Sequence, residues 1–248
     1  MSMEHLPTNP ETGKPDAEPR KGTEHEKTIA ELRKEIERLR TMAYTDHLTG
    51  LDNRRKFDEE FDRRKEHRRE RGAEKENAQD VLLILDIDNF KIVNDAFDEG
   101  HAGGDRVLKE AAEHILSAIK DHFRKDDVVA RYGGEEFAIL LKDADMESVG
   151  QRLRLGLTVT LDGEPIPITF SGGYTPIAPG ETLDDAFTRA DRALFVAKED
   201  ENLPDGRIKR GRNQILPYSE EMEEKMEKEK AGLTSAGKSM HPHPAGPE

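Results

Sequence analysis

The chain is expected to fold as an α+β domain: a mixed, mostly antiparallel sheet flanked by helices, preceded by a coiled-coil helix. Three observations predict it. Val81–Ile87 is a continuous aliphatic run interrupted only by Asp86 and followed by Asp88, the pattern of a central strand buried on both faces. Strand-like and helix-like segments interleave between residues 46 and 218, and glycine turns join short strands into hairpins. Finally, Ile29, Leu32, Ile36, Leu39 and Ala43 recur at steps of three and four, the seam of a two-heptad helix.

The elements follow in order. Residues 1–23 are rich in Pro, Thr, Glu and Lys and read as a disordered tail. The seam occupies 24–45, and two readings of it stay open: a helix packed on its own domain, or the stalk of a parallel homodimer, which the charged flanking positions favour. In the turn TDHLTGLDN, Thr45 or Asp46 can cap a new helix over 54–71 that carries Phe57 and Phe61 on one side. A loop at 72–80 leads into the buried strand 81–88. Gly103–Phe123 reads as a helix with Val107, Leu108, Ala111, Ile115, Leu116 and Ile119 on its apolar face. Two strands within 126–141 meet at Gly133-Gly134, a helix follows over 145–155, and a strand pair within 157–173 turns at Asp162-Gly163. Thr182–Lys198 is an amphipathic helix and 213–218 a last strand, closing a domain of residues 46–218. Residues 219–230 suit a charged helix, and 231–248 a second disordered tail.

Composition narrows the function. A formal charge of −14 on 248 residues argues against a protein that coats nucleic acid. It leaves room for a nucleotide substrate, since a divalent cation and a few basic groups reverse the field locally. With no cysteine, thiolate catalysis and thiolate metal sites are excluded. No apolar run approaches the ~20 residues of a membrane span, and the N-terminus lacks a signal peptide's apolar segment. A soluble cytoplasmic protein is expected.

Two carboxylate clusters carry the chemistry. Asp86 and Asp88 close the buried strand, two residues apart and so on one side of it, where both could face one ion. Glu135 and Glu136 follow two glycines whose lack of side chains lets a ligand approach the backbone. Such oxygen donors suit Mg²⁺ or Mn²⁺, which in turn binds phosphate. Taken singly, an Asp at a strand end also serves as a helix cap, and GGEE as an ordinary solvated turn.

Together the motifs resemble the GGDEF family of diguanylate cyclases, in its variant with Glu at the third position. RYGGEEF at 131–137 is similar to the family signature. Asp46–Arg55 resembles its D-x-LTGLxNRR segment and Asp86–Asp95 its D-x-D-x-FK-x-x-ND segment. Ala190–Lys198 resembles its ADxALYxAK helix, and Gly211-Arg212-Asn213 its GRN. These five elements stand in family order over residues 46–213. The resemblance implies a nucleotidyl-cyclase, palm-like fold that condenses two GTP into cyclic di-GMP and releases pyrophosphate. It implies that Asp86, the Ile87 carbonyl and Glu135 hold Mg²⁺ or Mn²⁺, with Glu136 close by and Glu135 in the family's proton-acceptor position. It also implies that backbone amides around Asn89, Phe90 and Lys91 cradle phosphates, that Lys198 and Arg212 meet the β- and γ-phosphates, and that Asn94, His101 and Asp105 form the guanine pocket. An Asp suits that task because it accepts from both the ring N–H and the amino group of guanine. Without the family context, Lys198 is a helix-end lysine opposing the dipole.

The sequence departs from the family pattern in places. Two residues, Asp98-Glu99, stand inserted before Gly100-His101, and about ten extra residues separate Lys198 from Gly211, so Arg207 or Arg210 could replace Arg212. Ser171-Gly172-Gly173 lacks the usual aliphatic residue in the middle, and Phe195 replaces a common Tyr. Arg124-Lys-Asp-Asp127 matches the family's RxxD product-inhibition site in type and spacing, with Arg152 or Arg154 able to assist from the next helix. Each subunit holds half of a reaction centre, so a homodimer is implied, and an unknown regulator at the N-terminal tail fits the lack of a sensor domain. Rival readings are a catalytically silent receptor for cyclic di-GMP or GTP, a cyclase making an adenine-containing dinucleotide, and a structural coiled-coil adaptor.

Overall fold

A computed structural model describes residues 22–71, 79–96, 101–202, 208–209 and 211–223. The expected tails, most of the loop at 72–80, the insertion at 98–99, and Arg207 and Arg210 lie outside these residues. The chain divides into two units, Met1–Ala43 and Tyr44–Glu248. The first contains the body of helix α1 (Gly22–Tyr44). Ile29, Leu32, Ile36, Leu39 and Met42 along it are each about half exposed or more, and Glu35 pairs with Arg38 at 2.7 Å.

The second unit begins with strand β1 (Asp52–Asn53) and helix α2 (Arg54–Arg71). Next come β2 (Asp80–Ile87), α3 (Phe90–Ala96), α4 (His101–Ile119), β3 (Val128–Arg131) and β4 (Glu136–Lys142). They are followed by α5 (Met146–Leu153), β5 (Leu157–Leu161), β6 (Glu164–Ile168), β7 (Phe170–Pro176) and α6 (Leu183–Lys198). A small pair, β8 (Glu201–Asn202) and β9 (Ile208–Lys209), precedes the last strand, β10 (Ile215–Pro217). Six strands form one mixed sheet in the order β1-β3-β4-β2-β7-β10, parallel at its two outer pairs and antiparallel between. The expected mixed, mostly antiparallel sheet is thus present. The segment 157–173 differs from expectation: it is not one strand pair. β5 and β6 form a separate hairpin, and Phe170 begins a new strand that pairs with β2.

Alternation along β2 sorts the helices. Leu83, Leu85 and Ile87 face α4, α5 and the β5–β6 hairpin in one core. Leu82 and Ile84 face α2 and α6, with Phe57, Phe61, Ala186, Ala190 and Leu194, in the other. Fully burying each such aliphatic side chain contributes roughly 1.5–3 kcal/mol, so a strand buried at all eight positions fixes the register of both neighbours. The same alternation puts Asp86 on the α6 side. Helix α6, capped by Thr182, lies close on the sheet because it packs alanines against Gly173. A Cβ at Gly173 would fall on the Ala190 carbonyl oxygen and within 2.8 Å of Ala193 Cβ. Gly172 has no aliphatic side chain because Leu85 and Ile215 already fill the space: a Cβ there would be 2.6 Å from Leu85 Cδ2.

A buried ion cluster ties α2 to the start of β2 and to the loop before β3. Arg64 reaches Asp80 at 3.2 Å, Asp127 and Glu60 at 3.5 Å, and the Asp126 carbonyl. All four charged residues are nearly inaccessible, so each depends on the others for compensation. Among the described residues, no helix is long and apolar enough to cross a membrane.

Candidate active site

The carboxylates meet where β2 ends and β4 begins. Asp86 stands opposite Glu136 in the antiparallel register, and the Ile87 N–H donates to the Glu135 carbonyl at 3.4 Å. Directly opposed residues of an antiparallel pair share a face, so the β3–β4 turn delivers its glutamates to the end of β2. The turn is held from outside. Arg131 donates from Nε and Nη2 to the Gly134 carbonyl at 3.0 and 2.8 Å, and its Nη1 lies 3.3 Å from Asp46. Asp46 also accepts from the Thr49 hydroxyl and N–H at 2.7 and 2.9 Å. The Glu136 side chain lies over Gly133: a Cβ there would come within 2.6 Å of Glu136 Oε2.

Basic groups close the site from α6 and the segment after β9. Lys198 Nζ pairs with Asp86 Oδ1 at 2.7 Å. Burial pushes the Asp86 carboxyl above its ordinary value; the bond and charge of Lys198 oppose this, Asp88 adds to it, and Arg212 draws it down. Burial, then the negative charge of Asp86, raises Glu135 as well, with Lys198 pulling the other way and Glu136 adding to the rise. Asp86 and Glu135 therefore each feel the charge of Lys198, and Asp86 that of Arg212 as well.

Arg212 reaches this position despite the long insertion. Its N–H donates to the Ala197 carbonyl at 2.7 Å, while the Gly211 N–H donates to Asp200 Oδ1 at 2.9 Å. A Cβ at Gly211 would collide with the carbonyl oxygens of Lys198 and Glu199, so the chain leaves and re-enters along adjacent backbone. The extra residues include the β8–β9 pair between these two ends. Arg212 and Asn213 both adopt left-handed backbone conformations, φ 76° and 50°.

Asp88 has a different task from the one its spacing suggested. Its oxygens accept from Thr169 Oγ1 and Ser171 Oγ at 2.7 Å each and from the Asn213 N–H at 2.9 Å. The side chain is thus spent on a clasp joining β2, β7 and the Arg212 segment. It is not directed at an ion shared with Asp86.

On the other side, Asn89 takes a left-handed conformation, φ 57°, and turns the chain into α3. Phe90 and Lys91 open this helix, whose first-turn N–H groups have no earlier carbonyl within it. Asn94 is half-buried and lies against Gly104: a Cβ there would fall on Asn94 Oδ1, and 3.3 Å from Phe90 Cζ. Asp105 follows directly and is exposed. Asn94 is thereby set against the residue that precedes Asp105, across the inserted residues. The His101 side chain lies outside the described residues.

The RxxD segment forms the loop between α4 and β3. Arg124 is exposed and pairs with Asp143 at 3.0 Å. Asp127, in contrast, is buried and accepts from the N–H groups of Arg124 at 2.8 Å and Lys142 at 2.9 Å, besides Arg64. Its carboxylate shapes the loop from inside. Arg154, at the end of α5, is exposed. Sequence reasoning missed the positioning roles of Arg131, Asp46, Arg64 and Asp88, whose partners are mostly more than sixty positions away along the chain. Only the adjacency of Arg131 to GGEE hinted at a role.

Comparison with known proteins agrees with this geometry. Residues 43–203 match the family model described as the GGDEF domain of diguanylate cyclases. Over 169 residues the chain is 38% identical to the diguanylate cyclase DgcP of Pseudomonas aeruginosa, covering 66% of this chain and 24% of that protein. The coiled coil and GGDEF domain of DgcB from Caulobacter crescentus, solved with c-di-GMP, superposes with a TM-score of 0.60 at 31% identity. That match spans 79% of this chain and 96% of the other. The diguanylate cyclase SiaD of Pseudomonas aeruginosa, solved with its activator SiaC, gives 0.58 at 32% identity, over 80% and 69% of the two chains. The chain spans half or less of the length of curated relatives such as DgcP and the diguanylate cyclase DgcZ of Escherichia coli. With the signature turn, the strand-end aspartate and the Lys198 helix converging on one point, the chain belongs to the GGDEF family.

Proposed function

We propose that this chain is a diguanylate cyclase that condenses two GTP molecules into cyclic di-GMP, works as a cytoplasmic homodimer and is restrained by its own product. The observation that carries the reading is that Asp86 stands opposite Glu136 at the GGEE turn, one residue from the Ile87 bond to the Glu135 carbonyl, with Lys198 Nζ 2.7 Å from the Asp86 carboxylate. Among the described residues no cluster of three or more acidic or histidine side chains could hold a metal alone. A carboxylate pair fits a hard cation that takes its remaining ligands from backbone, water and substrate phosphates, as Mg²⁺ commonly does. Asp86, the Ile87 carbonyl and Glu135 would hold Mg²⁺ or Mn²⁺, with Glu136 in reserve. Such an ion supplies charge neutralisation at the triphosphate and a more acidic 3′-hydroxyl.

The chain's own groups do the rest. Asn94 and Asp105 read the guanine edge, with His101 beside them, and the first-turn amides at Phe90 and Lys91 hold phosphate oxygens. Lys198 and Arg212 receive the β- and γ-phosphates. Glu135 stands in the proton-acceptor position as the 3′-oxygen of one GTP attacks the α-phosphorus of the other and pyrophosphate departs. Catalysis on this reading is mainly positioning and charge stabilisation.

Closing the ring takes two facing domains, and α1 supplies a means. Ile29 and Ile36 at one core position with Leu32 and Leu39 at the other is the choice that favours two parallel strands. Parallel pairing also sets Glu35 beside Arg40 of the second copy. The coiled coil of DgcB supports this stalk, and the complex of SiaD with its activator SiaC supports a protein regulator, which on this reading acts at the N-terminal tail. At the inhibitory site, Arg124 meets cyclic di-GMP with Arg152 or Arg154 from the next helix, while Asp127 fixes the loop.

Incubating the full chain with GTP and Mg²⁺ should yield cyclic di-GMP and pyrophosphate. Glu135→Ala should yield neither, and Asp105→Ala should raise the KM for GTP. A folded wild-type protein that binds GTP but releases no pyrophosphate would make it a receptor instead.

A further inference from the structure

We propose that Asp143 and Asp121 are built-in competitors of the inhibitory ligand, each occupying an arginine that an anionic dinucleotide must reach. The inference rests on the reading of residues 124–127 as a product site. Arg124 Nη2 lies 3.0 Å from Asp143 Oδ2 and 3.4 Å from its carbonyl. Arg152 Nη1 lies 2.7 Å from Asp121 Oδ2 and 3.3 Å from the Ala118 carbonyl. Both pairs cross the same seam, between the α4–β3 connection and the end of β4 with α5. Both are well exposed at the carboxylate, 56% in each case, so they are open to exchange with a ligand.

The arrangement is held by the backbone. Asp127 fixes the Arg124 N–H, and Asp143 sits in a left-handed conformation, φ 53°, with its N–H donating to the Gln79 carbonyl at 2.9 Å. Neither end of the pair is a free side chain meeting another by chance. A cyclic dinucleotide carries two phosphodiester charges and presents guanine acceptors, both of which a guanidinium fork binds. To take Arg124 it must displace one carboxylate and then tolerate that charge nearby. The two aspartates thus set the product concentration at which inhibition begins.

Removing the charge while keeping the shape tests this. Asn is among the residues best tolerated in the left-handed region, so Asp143→Asn leaves the turn intact. Exposed pairs of this kind are weak, so Asp143→Asn and Asp121→Asn should each tighten cyclic di-GMP binding about two- to five-fold. The effects should roughly multiply in the double variant, because the pairs share no partner. Binding is read by calorimetry on the full chain with wild type, both single variants, the double variant and Arg124→Ala. Tighter binding is a gain that damage to the fold cannot produce. If wild type binds cyclic di-GMP with an affinity that Arg124→Ala does not change, the product-site reading fails. If binding depends on Arg124 but Asp143→Asn binds no tighter, the competitor inference fails, and if it binds more weakly Asp143 is itself a ligand.

Discussion

Replacing Gly104 by Ala should move fold stability and nucleotide affinity in opposite directions. Gly104 lies in the first turns of α4, where Ala is the better helix former by up to about 1 kcal/mol. The added Cβ would fall on Asn94 Oδ1, with Asn94 Cγ at 3.2 Å and Phe90 Cζ at 3.3 Å. The obstacle is the end of a side chain, not backbone, so Asn94 turns aside and the helix stays. What is lost is the present placement of the Asn94 amide against Gly104. A neutral hydrogen bond contributes about 0.5–1.5 kcal/mol, or roughly a two- to thirteen-fold loss of affinity. The assay is calorimetric titration with a non-hydrolysable GTP analogue for wild type, Gly104→Ala, Asn94→Ala and the double variant, alongside thermal unfolding. Gly104→Ala should unfold no earlier than wild type, bind as weakly as Asn94→Ala, and add nothing in the double variant. Wild-type affinity in Gly104→Ala, or losses that add, would refute the placement of Asn94 in the guanine pocket.

Two further outcomes follow from buried polar groups. Asp88→Ala removes the shared acceptor of Thr169, Ser171 and the Asn213 N–H. With hydrogen bonds to a charged group worth about 1.5–3 kcal/mol each, urea unfolding should show a loss of about 3 kcal/mol or more, with phosphate affinity falling as Arg212 is released. A loss below about 1.5 kcal/mol, less than a single such bond contributes, would remove the clasp. Tyr132 donates to Asp58 at 3.1 Å, and burial, with Asp58, pushes its phenol up to about 12. A raised folded-state value means that its contribution to stability is complete below about pH 10, the unfolded value, and is lost as pH rises through 12. In a spectrophotometric titration of the four tyrosines, the last phenolate to form should vanish in Tyr132→Phe.

What could be read from the sequence was what local pattern encodes. The aliphatic run of β2 announced a central strand, and its carboxylates with GGEE announced the site, because strand periodicity puts Asp86 on a definite face. Helix α3 carried no signal, since seven residues are too few for a periodic stripe. Strand β7 was hidden because Thr169 alone separates it from β6, so two strands of different sheets read as one. The inward turn of Asp127 could not be read either. Its spacing from the GGEEF motif is local information, while its partner Arg64 stands 63 positions upstream. Charge pairs of that range are decided by packing, and a motif match cannot tell a ligand from a strut.

The same distinction explains how two insertions coexist with the arrangement around Asp86. Loop length adds to the closure cost only logarithmically, about (3/2)RT ln n, so extra residues are tolerated wherever both ends are pinned. At 199–210 the pins are the Arg212 N–H on Ala197, Gly211 packed under the carbonyls of Lys198 and Glu199, and the Asp88 bond to Asn213. At 97–100 the pin is Gly104 against Asn94. Each uses a glycine packed closely against its neighbour, and each joins two groups assigned to the nucleotide. Sequence departure in this chain therefore falls between the fixed points, and the groups around Asp86 keep their places because short-range packing, not chain length, holds them there.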